Sequence, residues 1–407
     1  MREHDAGNVA EGAAKLSPDQ RRAVVIAGGA HALHDGYTDL IYILLPLWQA
    51  EFGLTYAALG ALRGVFVGSM ASLQIPAGLL SERFGAPAVL AAGTALAGLG
   101  YCLAGASTGF AMLIGALIVG GIGASTQHPI ASALVARAFA GPRSLKALGA
   151  YNFSGDLGKM IVPATLSLML LGMTWRPAIA SLGSLGLVMA VAIFLFAPRF
   201  HSSVTEARKQ SAEPPRPPQP HAFGVLLMIG ICDSAARMGF LLFLPFVLKD
   251  KGASLQDVGL ALTLVFAGGA AGKLSCAFLG ARIGAIGTVW LTEAATALGI
   301  LELFPLPLYA ALALLPLIGI ALNGTSSVLY GSVPDLVAPH WRTRALSIFY
   351  TGTIGSGALS PVLFGRAGDA FGVWHALILV AGIALLTLPL AAALRNALPR
   401  GYGSAAA

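Results

Sequence analysis

The chain has 407 residues, of which 56% are hydrophobic and 11% charged, where soluble domains carry roughly a quarter charged residues. Such a composition excludes a water-soluble globular protein and predicts an all-α integral membrane protein with many crossings. The formal net charge of +7 lies largely in the breaks between apolar stretches, where topology accounts for it and no nucleic-acid partner is implied.

A bilayer crossing needs roughly 20 apolar residues. In chain order, a polar segment, 1–22, without a signal-peptide pattern precedes six predicted helices at 23–50, 56–81, 87–106, 109–138, 147–172 and 174–197. These form an amino-terminal bundle over 23–197. A linker, 198–221, follows, and its Pro-rich run from Pro214 to Pro220 reads as extended or flexible chain. Six further helices at 222–248, 254–281, 285–304, 307–334, 344–368 and 373–396 form a carboxy-terminal bundle, and a tail covers 397–407. Seventeen Lys and Arg fall on the side of the amino terminus, whereas the opposite breaks hold only Arg176, Lys249, Lys251 and Arg366. This asymmetry predicts that both termini, the linker and the tail are cytoplasmic, in a multi-pass protein of a bacterial inner (plasma) membrane. Cys102, Cys232 and Cys276 have no paired spacing and read as buried thiols.

The two bundles repeat one another. Pro46, Gly53, Gly60, Arg83 and Gly85 recur as Pro245, Gly252, Gly259, Arg282 and Gly284, offset by 199 positions; Ala147, Leu148 and Pro163 recur as Ala345, Leu346 and Pro361, offset by 198. A duplicated bundle of apolar helices is the build of many secondary transporters, whose substrate site lies near the bilayer midplane between the repeats.

Ionisable residues inside membrane segments are expensive and usually face a partner or a water-filled cavity. On the first predicted helix, His31, His34, Asp35, Thr38, Asp39 and Tyr42 fall within an arc of roughly 140 degrees. Two carboxylates and two imidazoles in one stripe suit proton carriage, with Asp35 the first choice. The second helix adds Arg63. The fourth carries Gln127, His128 and Pro129 in a run of small residues, where a proline permits a bend. The fifth places Asn152, Asp156 and Lys159 on one face, a pair that either neutralises itself or opens to bind an anion at Lys159 and a proton at Asp156. Asp233 and Arg237 lie one turn apart on the seventh helix, and Lys273 lies on the eighth. The positions equivalent to Arg63 and Lys159 in the second half are Leu262 and Gly357, so these charges are not scaffold inherited by both copies. Arg63, Arg237 and Lys273 offer a cationic lining for a phosphonate, phosphate or carboxylate, although pairing with Asp35, Asp39 and Asp233 would leave little net charge.

Between the second and third helices, Gly78-Leu79-Leu80-Ser81-Glu82-Arg83-Phe84-Gly85 resembles the signature loop of the major facilitator superfamily, with Ala86 and Pro87 where a basic residue usually follows. The copy in the second half keeps Arg282 and Gly284 but has Ala281 in place of the acid. Within that superfamily, His31-Ala32-Leu33-His34-Asp35, the stretch Pro46 to Thr55, Gly121-Ile122-Gly123 through His128-Pro129, and the Gly155 and Gly158 region resemble the fosmidomycin-resistance type of exporter. The resemblance implies twelve transmembrane helices in two pseudo-symmetric halves. Glu82 and Arg83 sit at a cytoplasmic helix junction, where they either act as a gating pair or Arg83 serves as an ordinary positive-inside anchor. The resemblance also implies that the ninth helix is peripheral, which makes Glu293 a packing or interfacial residue. The superfamily's antiporter signature in the fifth helix is not reproduced, since Pro163 follows Val162.

The leading expectation is a proton-coupled secondary transporter that exports a small anionic or amphiphilic compound by rocking its two halves. Proton coupling is expected at His34, Asp35, Asp39, Asp156 and Asp233, and substrate binding at His31, Arg63, Gln127, His128, Asn152, Lys159, Arg237 and Lys273. The alternative is a divalent-metal or metal-chelate transporter that uses His31, Asp35, Asp39 and His128 as ligands. A membrane-embedded enzyme or receptor is disfavoured because no ATP-binding loop, nucleophile elbow or metalloprotease helix appears. No cofactor is expected, the partners are a small-molecule substrate, protons and the lipid bilayer, and a monomer should suffice because one chain supplies both halves.

Overall fold

The computed structural model describes residues 16–139, 142–199, 219–338 and 341–398. Most of the predicted amino-terminal segment, nearly all of the linker and most of the tail lie outside the described residues. Helix α1 (Pro18–Phe52) starts at a capping box: Ser17 Oγ accepts from the Gln20 N–H at 3.2 Å, and Gln20 Oε1 accepts from the Ser17 N–H at 3.0 Å. It ends at Gly53, whose φ of 62° is the left-handed conformation that glycine reaches without a steric penalty.

The remaining amino-terminal helices are α2 (Tyr56–Ser72), α3 (Gln74–Phe84), α4 (Ala86–Gly105), α5 (Phe110–Ala124), α6 (Gln127–Ala138), α7 (Pro142–Met169) and α8 (Trp175–Phe196). The carboxy-terminal ones are α9 (Pro220–Asp250), α10 (Leu255–Glu302), α11 (Leu308–Leu336), α12 (Arg342–Phe371) and α13 (Val373–Ala393). Three departures from the predicted spans occur. The second span is bent by 44° between α2 and α3. The fourth breaks at Ser125–Thr126, beside Gln127 and Pro129. The eighth and ninth share α10, which turns at Gly284 with φ 77°.

Among the described residues, eight stretches are long and apolar enough to cross a bilayer, or nine when α2 and α3 count as one bent span. The other three of the twelve rods are α1, α7 and α12. They are long enough, and they carry the charges and polar residues that lower their hydropathy. The twelve-helix, two-half arrangement therefore accounts for every described helix.

The packing of the halves fixes where the cavity lies. One apolar cluster joins both halves at the end where α1 finishes, through Ile43, Leu44 and Trp48 of α1 and Phe240, Phe243 and Val247 of α9. There the Tyr56 ring meets Phe243 and Phe246 with centroids 5.8 and 5.0 Å apart, and both oxygens of Asp369 on α12 accept backbone N–H groups at the start of α2. At the opposite, Arg-rich end each half has its own cluster, one around Leu90, Leu134 and Tyr151, the other around Phe223, Leu336 and Phe349. The halves are thus sealed at one end and parted at the other.

Candidate functional site

Between the parted halves lies a cavity of about 520 Å³, and most of the intramembrane charges stand on its wall. Arg63 of α2, Lys159 of α7, Arg237 of α9 and Lys273 of α10 face Asp35 and Asp39 of α1 and Asp156 of α7. The wall itself therefore carries one cation in excess.

His31 and Asp35 meet because α7 comes unusually close to α1. A Cβ on Gly155 would stand 2.6 Å from His31 Cε1 and 2.7 Å from Asp35 Oδ2, and one on Gly158 would collide with the Ala32 carbonyl. Only glycine leaves that room. The His31 ring stacks on Tyr151 at 4.1 Å, and its Nδ1 lies 2.9 Å from the Tyr151 carbonyl oxygen. A carbonyl only accepts, so Nδ1 carries the hydrogen, and the neutral ring presents a lone pair on Nε2. That Nε2 stands 3.4 Å from Asp35 Oδ1. Two acceptors facing each other need one proton between them. The other Asp35 oxygen lies 3.4 Å from Lys159 Nζ.

The remaining charges pair differently from the sequence expectation. Asp156 and Lys159 do not form a self-neutralising pair: Lys159 reaches Asp35, and Asp156 accepts from Lys273 across the two halves at 2.5 Å. Asp39 lies 3.7 Å from Arg63, whose guanidinium sits over the Tyr42 ring at 5.3 Å. Arg237 lies 3.4 Å from Asp233. Among the described residues, Arg63 Nε and Nη1 and Arg237 Nε are buried without a hydrogen-bond partner, an expensive condition that an acceptor entering the cavity would relieve.

Three expected site residues lie off the wall of the main cavity. His34 and Gln127 line a separate small pocket beside Thr94 and Thr126 rather than the main cavity, because they project between α1, α4 and the α5–α6 break. Asp233 lies behind Arg237, off the cavity wall. Glu293, expected as a packing or interfacial residue of a peripheral helix, is 2% exposed and hydrogen-bonded to Asp233 and Thr325. Position 293 faces inward to α11, which brings it to α9. Asn152 and His128 do line the cavity. Glu82 and Arg83 are both exposed at the Arg-rich end, with Arg83 over the Phe84 ring at 5.3 Å and no ion pair between them among the described residues.

Donor atoms of His31, Asp35 and His128 lie within 4.8 Å of one another, whereas Asp39 stands apart with Arg63. The Lys159 ammonium beside Asp35 opposes a bare divalent cation at this cluster. The uncharged wall residues Asn323, Ser326, Ser327, Tyr330, Tyr350 and Thr353 escaped the charge-led reading. The spacing of 323, 326, 327 and 330 marks one helical face, which was the available signal.

This chain belongs to the Major Facilitator Superfamily, whose family model matches residues 28–230 and 226–404. It is 26% identical to the probable sulfoacetate transporter of Cupriavidus necator, over 85% of this chain and 86% of that protein. It is 25% identical to the fosmidomycin resistance protein of Escherichia coli, over 88% and 90%. Among solved structures, it is similar in fold to a bacterial homolog of the human lysosomal transporter Spinster, with TM-score 0.77, 14% identity and coverage of 94% and 98% of the two chains. The nucleoside transporter NupG is similar as well, with TM-score 0.78, 12% identity and coverage of 92% and 99%. The family and these neighbours are transporters, and the protein is a multi-pass membrane transporter of small molecules.

Proposed function

We propose that this protein moves a small organic anion coupled to protons by alternating access. The observation that carries this reading is the cation-rich wall, in which, among the described residues, Arg63 and Arg237 have buried donors without a hydrogen-bond partner and Lys159 and Lys273 each pair with one carboxylate. Relatives named for sulfoacetate, fosmidomycin and L-galactonate transport or resistance support it, since each of those compounds is an acidic or anionic molecule. Asp35 and His31 hold the coupling proton. Protonation of Asp35 frees Lys159 for the anion, and an anion on Lys159 frees Asp35 for a proton, so the two ligands favour each other's binding. Asp39 and Asp156 act likewise on Arg63 and Lys273, while His128 and Asn152 complete the wall. His34 and Gln127 sit behind it. Glu82 and Arg83 engage as a gate when the parted end closes.

Cooperative binding favours movement of proton and anion together. Export is the second reading, favoured by the likeness to the fosmidomycin resistance protein. Both place the protein in a bacterial inner membrane with cytoplasmic termini. The test is flux of radiolabelled sulfoacetate and L-galactonate, and of fosmidomycin, across proteoliposomes under a pH gradient of either sign. Accumulation on the alkaline side supports co-transport, and movement towards the acidic side supports exchange. Equal flux with and without the gradient removes proton coupling.

A further inference from the structure

The charged groups of the cavity leave one cluster unused. Asp233 and Glu293 are 4% and 2% exposed, and their carboxyl groups are in hydrogen-bond contact. An ionised carboxylate only accepts, so this contact needs a proton on one of the two. Arg237 lies 3.4 Å from Asp233 Oδ2 and marks Asp233 as the ionised member. Glu293 has instead the Thr325 hydroxyl, itself bonded to Thr292 at 2.7 Å, and so it holds the proton. The other titratable groups near the pair are the Cys232 thiol on α9 and the Tyr330 phenol on α11, both neutral near pH 7.

The duplication gives this cluster a counterpart. At offsets of 199, 199 and 198, Asp233, Glu293 and Thr325 correspond to His34, Thr94 and Gln127. The structure supports that register: Gly319 on α11 approaches the Val265 carbonyl as Gly121 on α5 approaches the Phe66 carbonyl. His34, Thr94 and Gln127 surround a pocket of about 10 Å³, and His34 Nε2 and Gln127 Nε2 are buried without a hydrogen-bond partner among the described residues. Each half thus carries polar, titratable groups directly behind the cavity wall. In the carboxy-terminal half they are two acids behind an arginine that also faces the cavity.

We propose that Asp233 and Glu293 form a second proton-binding site, switched by Arg237: with Arg237 on Asp233 the pair holds one proton, and when an anion in the cavity draws Arg237 away the pair takes up a second. The proton enters from water in the cavity and protonates the Asp233 carboxylate. Loss of Arg237 from Asp233 leaves a buried charge with no cation beside it, which the added proton neutralises. The inference rests on the proposed binding of an organic anion at this cavity.

The experiment measures binding and protons separately. Calorimetric titration of the detergent-purified full chain with sulfoacetate or L-galactonate, in two buffers of different ionisation enthalpy, gives affinity and the number of protons taken up. The expected result is binding by wild type with proton uptake, binding by Asp233→Asn with uptake lowered by close to one proton, and binding by Glu293→Gln, whose amide stands in for the protonated acid, with uptake unchanged. Unchanged uptake in Asp233→Asn overturns the second site while leaving anion binding intact. No binding of any organic anion by wild type overturns the proposed function instead. Should either variant fail to fold, infrared difference spectra of wild type with and without the anion serve the same purpose. Asp-specific and Glu-specific isotope labels would show a protonated Glu before binding and a newly protonated Asp after it. A Glu293 band absent from the unliganded protein contradicts the proposal.

Discussion

Asp369 is the perturbation with the most direct consequence for the balance of conformations. Its two oxygens accept from the Tyr56 and Ala57 N–H groups at 2.6 and 3.0 Å, so an α12 carboxylate caps an α2 helix in the other half. These contacts exist only while that end is sealed. Removing a cap of this kind typically removes about 1 kcal/mol, and a carboxylate at a helix N-terminus adds about 0.3–1 kcal/mol. The site is exposed, so we take the lower figure. A loss of about 1 kcal/mol from one state alone moves the equilibrium between states by about fivefold. Asp369→Ala should therefore enlarge the population in which the Arg-rich end is closed. Spin labels at Phe84 and Ile283, exposed at that end and equivalent under the repeat, would report it as a fivefold gain in the short-distance population. Pulsed electron resonance giving identical distance distributions for Asp369→Ala and its parent would refute the reasoning.

Other substitutions test the cavity. Asp35→Asn removes the group that links His31 to Lys159, and proteoliposome flux should lose its dependence on the pH gradient while the protein stays folded; full pH-driven flux would take Asp35 out of the mechanism. Gly155→Ala drives a methyl into His31 and Asp35, with overpacking of about 1–3 kcal/mol, and should lower the thermal midpoint as well as flux; an unchanged midpoint would contradict the stated fit. Lys273→Met leaves Asp156 without its cation, and Lys273→Met with Asp156→Asn should recover more thermal stability than it recovers transport. Recovery of both to the same degree would make this a structural bridge only.

The fold was legible because apolar length and the repeat are properties of the sequence itself: Gly85 and Gly284 mark the same turn in both halves. Legible also were the charges of the site, since His31, Asp35, Asp39, Arg63 and Lys159 are conspicuous in apolar helices, and they do meet in one cavity. Partner choice was not. Asp156 and Lys159 share a helical face, but Lys273 reaches Asp156 from the other half, and no spacing along one chain segment reports a contact between halves. The contact of Glu293 with Asp233 was likewise out of reach, because the resemblance speaks to the position of a whole helix, whereas burial belongs to a face. His34 was misplaced within one helix: about 100 degrees separates it from Asp35 on the helix, enough to turn it out of the main cavity and into its own pocket.

The central claim, that the cavity binds an organic anion on its cations, is tested most directly by the thermal midpoint of the purified protein against sulfoacetate, L-galactonate, fosmidomycin, a neutral sugar and a lipophilic cation. A ligand that binds the folded state raises that midpoint. The account predicts a rise with one or more of the anions, reduced in Lys159→Met and in Arg237→Met, and none with the sugar or the cation. Stabilisation by the neutral or cationic compound with none from any anion would contradict it.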